Sequence, residues 1–314
     1  MKIDVIIPVY MPDDKFERLI DMLNRQTRMP DNIILIWTIP DNNRFDKKQI
    51  EDKYQKDNVK CLYVKQKEFD HGATRAYGIS VSDADYVLCM TQDAVPYNEN
   101  LIENLLNAFN DENTAASYAR QLPGDKENEI EKITRAFNYP ETERIQNKAS
   151  LKKYGIKTFF CSDVCAMYKK TCSDEAGGFI KKTIFNEDMI MASSLVDMGY
   201  TVRYVPKAQV VHSHTYTCMQ QYRRNFDLAV SQADHPEVFE RVPSESEGIR
   251  LVIQSAKLLC KKGKVYLLPK LVLQSGFKYL GYRKGKQYKK LSREKILKCT
   301  MNKSYWKRIW DEEN

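Results

Sequence analysis

Tyr86-Val87-Leu88-Cys89-Met90-Thr91-Gln92-Asp93-Ala94-Val95-Pro96 is the stretch on which the fold turns. Tyr86 to Met90 is apolar without alternation, as in a strand covered on both faces. The run then breaks into Thr91-Gln92-Asp93, and Pro96 cannot continue a central ladder. In an open α/β sheet, ligands bind just beyond the carboxyl ends of central strands. A carboxylate placed there, Asp93, either holds a divalent metal that in turn holds a diphosphate, or caps the helix that follows.

The segments before this stretch alternate as β-α-β-α-β. Asp4 to Val9 is expected to be a buried strand, with Pro8-Val9-Tyr10 turning out of it. Phe16, Leu19, Ile20 and Leu23 recur at helical spacing within 13–27. Ile33 to Trp37 and Val59 to Val64 are further strands, separated by a polar loop at Asp41-Asn42-Asn43 and a helix around 46–56. This opening implies a parallel sheet of nucleotide-binding type. In Phe69-Asp70-His71-Gly72-Ala73-Thr74-Arg75, Gly72 would let a ligand approach the backbone. Arg75 suits a phosphate or an internal ion pair equally well.

After Pro96, a helix is expected over 99–110, a strand over Ala115 to Ala119 and an irregular polar region over 121–155. A long strand from Thr158 to Tyr168, broken at Ser162-Asp163, should follow. Asn186 is placed to cap a helix over 187–198. There Asp188 continues the apolar stripe of Met191, Leu195 and Met198, whereas Glu187 does not; an inward carboxylate is a candidate base. Two short strands, Thr201 to Val205 and Gln209 to Val211, lead into His212-Ser213-His214, a candidate metal or phosphate group. Gln221 and Arg224 lie on a helix beyond.

The 314 residues carry 42% hydrophobic and 29% charged residues, ordinary for a soluble globular chain. No apolar run is long enough to span a bilayer. The eight cysteines are scattered without a Cys-x-x-Cys pair, which fits reduced thiols in the cytoplasm better than a disulfide or zinc framework. The net charge of +8 is uneven: residues 250–314 hold 18 Lys+Arg against 4 Asp+Glu, leaving 32 against 38 in 1–249. The chain therefore divides into an acidic body, 1–249, and a basic, mainly helical extension, 250–314. Apolar residues, Tyr and Trp mixed with Lys and Arg in the extension suit docking on an anionic membrane surface at the inner face of the cell membrane. No nucleic-acid motif accompanies the basic residues.

Taken in order, Pro8-Val9-Tyr10, Asp93 at a strand end, Asn186-Glu187-Asp188, His212 and Gln221-x-x-Arg224 resemble glycosyltransferase family 2, whose members use nucleotide-sugar donors with inversion. Phe69 to Arg75, Thr91-Gln92-Asp93-Ala94 and His212-Ser213-His214-Thr215-Tyr216 resemble its bacterial rhamnosyltransferase subgroup. The likeness runs over roughly residues 1–235. It implies an α/β GT-A fold, with a mostly parallel, Rossmann-like sheet flanked by helices. It places Pro8, Val9 and Tyr10 at the nucleotide base, and Arg75, Gln92, Asp93, Gln221 and Arg224 along the donor. It makes Asp188 the catalytic base, and Asp93 with His212 or His214 the ligands of Mg²⁺ or Mn²⁺. The implied reaction moves L-rhamnose from dTDP-rhamnose to a cell-surface polysaccharide or lipid-linked glycan. A UDP-hexose donor, or a glycan-binding protein with a degenerate site, are the alternatives. Thr91 stands where the family's metal motif begins with Asp, Asn225 where its Gln-x-x-Arg motif ends in Trp, and Trp37-Thr38 where many members carry an Asp.

Overall fold

The computed structural model describes residues 1–41, 45–125, 127–242 and 245–312. The polar loop expected at Asn42 and Asn43 lies outside them. The strands are β1 (Ile3–Val9), β2 (Asn32–Ile39), β3 (Val59–Lys65), β4 (Tyr86–Met90), β5 (Val95–Pro96), β6 (Thr114–Leu122), β7 (Arg144–Gln146), β8 (Cys165–Lys169) and β9 (Thr201–Val211). They form one sheet in the order β3-β2-β1-β4-β8-β6-β9-β5, with β7 also on β9. The β3-β2-β1-β4 half is parallel, as expected. The other half is mixed. β8 runs antiparallel between β4 and β6, β6 and β9 are parallel, and β5 and β7 run antiparallel along β9.

The longer strands feed two cores, because successive side chains leave opposite faces. From β1, Ile3, Val5, Ile7 and Val9 enter one core with Phe16, Leu19 and Leu23 of the helix Asp14–Leu23. Ile6 enters the other, with Ile79 of the helix His71–Ser80 and Met191 and Leu195 of the helix Glu187–Asp197. Asp4, fully buried in β1, is satisfied by Asn32 Nδ2 at 2.8 Å and Ser82 Oγ at 2.6 Å. Burial on both faces makes β4 read as an uninterrupted apolar run and β1 as one broken only by Asp4.

Several local expectations are corrected. The segment Thr158 to Tyr168 is not one strand: a 3₁₀ turn, Gly155–Phe159, precedes β8, and Ser162-Asp163 lies between them. Both polar residues are held by distant partners, which no strand ladder could provide. Thr201 to Val211 is instead one strand, with its register against β6 slipping between Val205 and Gln209. Pro206, lacking an N–H, sits at this irregularity. The Gly72 backbone faces no ligand gap; a Cβ there would lie 1.9 Å from the Ile180 carbonyl oxygen.

The basic extension is not a separate body. The helix Glu245–Lys261 crosses the boundary expected at 249/250. The helix Leu268–Gly285 packs backbone to backbone on the helix Cys218–Asp234: a Cβ on Gly281 would meet Tyr222 O at 2.1 Å, and one on Gly285 would meet Phe226 O at 2.3 Å. Leu259 and Leu271 are buried with Ile130 and Ile133 of the helix Glu129–Asn138. Tyr305 and Trp306 are buried with Phe226 and Val230. Among the described residues, no helix is long and apolar enough to cross a membrane. No disulfide forms; Cys89, Cys161, Cys165 and Cys172 are buried free thiols.

Candidate active site

A cavity of about 350 Å³ opens beyond the carboxyl ends of β1 and β4. Pro8, Val9, Tyr10, Arg75 and Gln92 line it, as the sequence leads one to expect; Thr38, Gln66, Phe69, His71 and Thr91 complete much of its wall. Gln92 fixes the turn after β1 through a reciprocal pair: Tyr10 N–H donates to Oε1 at 2.7 Å, and Nε2 donates to Tyr10 O at 2.9 Å. The buried hydroxyls of Thr38 and Thr91 have no hydrogen-bond partner among the described residues.

Asp93 lies just past this cavity and is brought together with both histidines. His212 Nε2 is 3.5 Å from Oδ1 and His214 Nε2 is 3.3 Å from Oδ2. One ligand atom from each of the three falls within 4.8 Å of the others. His212 is buried and oriented from behind. Its Nδ1 lies 3.0 Å from Gln121 Oε1, an acceptor, and 3.4 Å from Arg135 Nη1, a donor; with the proton on Nδ1 it donates to the nearer Gln121 oxygen and leaves the Nε2 lone pair towards Asp93. The Gln121 amide is itself fixed, with Nε2 donating to Tyr139 and Ser162 and Oε1 accepting from Arg135. Burial, aided by the nearby charges of Arg135, Arg224 and Lys15, holds His212 well below the ordinary imidazole range. Burial likewise lowers His214, although Asp93 opposes it. Two neutral imidazoles and a carboxylate converging on one point fit a divalent first-row cation.

Asp188 belongs to a cluster of three carboxylates around one guanidinium. Arg75 is buried, with Nε 3.1 Å from Asp163 Oδ2 and Nη1 2.7 Å from Glu187 Oε1. Tyr168 OH donates to Asp163 Oδ1 at 2.6 Å. Asp188 Oδ1 accepts from Met189 N–H at 2.7 Å, and Oδ2 accepts from Asp163 N–H at 3.3 Å. Burial opposes the charge on Glu187, but Arg75 and His71 outweigh it and hold that carboxyl below its usual range. Asp163 is pushed up to about 6, chiefly by burial. Asp188 is raised well above the usual carboxylate range by burial, then by the charges of Glu187 and Asp163. A carboxylate made more basic in this way suits proton abstraction near neutral pH.

Three expectations change. Glu187 is the more buried of the two acids at this helix start, not an outward one, because Arg75 draws it in. Asn186 does not cap the helix: its backbone is left-handed, φ +63°, and its side chain donates to Leu228 O at 3.3 Å. Arg75 lines the cavity, yet its charge is engaged by two internal carboxylates, so it braces the acidic cluster.

Gln221 and Arg224 do not line the cavity. Gln221 is buried, and Arg224 is exposed, stacked over Phe185 at 4.7 Å and Tyr216 at 5.7 Å. Lys15 Nζ donates to Ser213 O at 3.5 Å, between the two histidines in sequence. Cations thus flank the Asp93 group. Asp163, Gln121, Arg135 and Lys15 were not singled out by sequence. Of these, Asp163 left a trace, as an acid interrupting an apolar run.

The sequence matches glycosyl transferase family 2 over residues 4–177. It is 34% identical over 311 residues to the O-antigen chain rhamnosyltransferase RfbN of Salmonella typhimurium, covering 98% of this chain and 97% of that protein. It is 33% identical over 308 residues to the O-antigen chain rhamnosyltransferase WbaN of Salmonella anatum, covering 97% and 96%. In fold it is similar to the mannosyltransferase PcManGT of Pyrobaculum calidifontis, solved with GDP-Man and Mn²⁺, at a TM-score of 0.60 and 12% identity over 92% of this chain and 88% of that one. It is also similar to S. aureus TarS 1–349 with UDP-GlcNAc, at a TM-score of 0.51 and 13% identity over 92% and 91%. With a family match over more than half its length and relatives above 30% identity along nearly all of it, the chain belongs to glycosyltransferase family 2.

Proposed function

We propose that this glycosyltransferase moves L-rhamnose from dTDP-rhamnose, with inversion, to a growing surface polysaccharide or its lipid-linked precursor. The observation that carries the chemistry is Asp188, held at the helix start by the Met189 and Asp163 N–H groups and made more basic by burial and then by the neighbouring Glu187 and Asp163 carboxylates. The sugar and acceptor class rest on the two rhamnosyltransferase relatives. In the transfer, the acceptor hydroxyl oxygen bonds to the anomeric carbon as its proton passes to Asp188. The bond from that carbon to the β-phosphate oxygen breaks, and its electron pair leaves with the nucleoside diphosphate. No second catalytic acid is required, unlike in glycoside hydrolysis.

Asp93, His212 and His214 would hold the divalent cation, which when bound supplies electrostatic stabilisation of the leaving diphosphate. Two imidazoles favour Mn²⁺ over Mg²⁺, which prefers an all-oxygen shell. Arg224 and Lys15 add positive charge beside the group, and Arg75 keeps the acidic cluster folded. A screen of nucleotide sugars with the purified protein, reading released nucleoside diphosphate, tests the assignment. Turnover of UDP-hexoses but not dTDP-rhamnose would replace the donor.

The extension would also dock the enzyme on an anionic membrane at the inner face of the cell. Part of its apolar content is committed to packing, as Leu259 and Leu271 illustrate. Another part is not. Ile249, Ile253, Val272 and Tyr279 rim one groove between the helices Glu245–Lys261 and Leu268–Gly285. Val272 is 66% and Leu273 55% exposed, and Tyr266 at the tip is 75% exposed. Lys257, Lys261, Lys270, Arg283 and Lys284 are exposed on the same two helices. Apolar surface and cations on the same helices are complementary to anionic lipid.

A further inference from the structure

Two residues of the cavity wall, Asn302 and Ser304, come from more than 200 residues after the rest. They begin the C-terminal helix Lys303–Glu312. This segment is anchored at both ends. Before it, the buried Asp227 carboxylate accepts from Thr300 Oγ1 at 2.6 Å, Met301 N–H at 2.8 Å and Asn302 N–H at 3.3 Å. Beyond it, Arg308 Nη2 lies 2.7 Å from Asp70 Oδ2, and Nη1 donates to Phe69 O at 2.7 Å and Glu68 O at 3.2 Å. Asp70 is also the cap of the helix His71–Ser80, accepting from Ala73 N–H at 2.9 Å. The C-terminal segment is therefore locked to the same helix that brings His71 and Arg75 to the cavity.

The chemistry of Asn302 is constrained by its own contacts. Its Oδ1 accepts from Tyr305 N–H at 3.0 Å and Ser304 Oγ at 3.3 Å. That fixes the amide orientation and leaves the Nδ2 hydrogens without a partner among the described residues. Position decides which part of a ligand they meet. Asp93, His212 and His214, the group suited to diphosphate, do not line this cavity. Asn302 and Ser304 share it instead with Gln66, on the turn that Arg308 grips, and with Thr38, whose buried hydroxyl is also unpartnered.

We propose that Asn302 and Ser304 are donor-site residues that recognise the nucleoside, so that the C-terminal segment forms one wall of the nucleotide pocket. Pyrimidine carbonyl oxygens and sugar hydroxyls are acceptors for the Asn302 amide, and the exposed Ser304 hydroxyl can serve either partner. This rests on the cavity being the donor site, as proposed above.

The test is titration calorimetry of the full chain with dTDP and with UDP, in Mn²⁺. Asn302→Ser keeps an oxygen that can cap the helix but removes the amide donors. Ser304→Ala alters an exposed side chain, and thermal melts of both variants read out what each does to folding. Each should raise the Kd for dTDP about three- to tenfold, the loss of one hydrogen bond. The melting temperature of the free protein should stay within a degree or two of the parent. If the parent binds dTDP and both variants bind both nucleotides as it does, the segment is only a brace and the inference is overturned. If the parent binds neither nucleotide, the donor-site assignment itself falls, and the inference with it.

Discussion

Asp188 carries the sharpest consequences. Asp188→Asn should lower transfer by about 10²–10⁴ while leaving nucleotide affinity unchanged. Its carboxyl is raised by burial and by Glu187 and Asp163, so the base is protonated, and the rate falls, as pH drops through a value above the ordinary carboxylate range. A pH–rate profile flat down to the usual carboxylate range would remove it as the base. Behind the metal group, Gln121→Leu takes away the acceptor that orients His212 and should weaken Mn²⁺ affinity about 10–100-fold, read by metal titration. An unchanged affinity would mean that His212 needs no such orientation. Asp93, His212, His214 and Asp188 were legible in the sequence because each follows a strand end or opens a helix. Glu187, Asp163 and Gln121 were not, because what places them is a partner far along the chain: Arg75 for the first two, His212 for the third. Helical phase alone turned Glu187 outward; the buried guanidinium draws it in.

The contact between the helices Cys218–Asp234 and Leu268–Gly285 gives a paired test. Gly281 presses on Tyr222 O, whereas a Cβ at Gly276 would meet nothing within 4 Å. Gly281→Ala should cost about 1–3 kcal/mol or more of stability by overpacking. Gly276→Ala should be neutral or stabilising by up to about 1 kcal/mol through helix propensity. Urea denaturation distinguishes them, and equal effects would mean that the close approach is absent in solution. The parallel half of the sheet was readable because β1, β2 and β4 are mostly buried runs and helical segments alternate with the strands. β8 and β9 were misjudged in opposite ways. β8 starts late, at Cys165, because Ser162 and Asp163 are held by Gln121 and Arg75, and Pro206 failed to end β9 because a register shift absorbed it.

Charge asymmetry pointed to an extension with its own role, but not to its double attachment. Part of its apolar residues pack on the body, and its last helix reaches the cavity beyond β1 and β4, so truncation would damage folding and remove part of that cavity's wall together. Point changes on the exposed face avoid this. The full chain should float with anionic vesicles and be released by salt, whereas Val272→Glu with Leu273→Glu should stay in solution while keeping dTDP affinity. Equal flotation of both would exclude this face as the docking surface. The most direct measurement of all is transfer from dTDP-rhamnose by the purified enzyme and its Asp188→Asn variant, with dTDP affinity measured on both. An inverted rhamnoside formed by the parent, and its near-complete loss in a variant that still binds dTDP, is the expected result. Undiminished transfer by the variant, or product with retained configuration, would contradict an Asp188-based displacement.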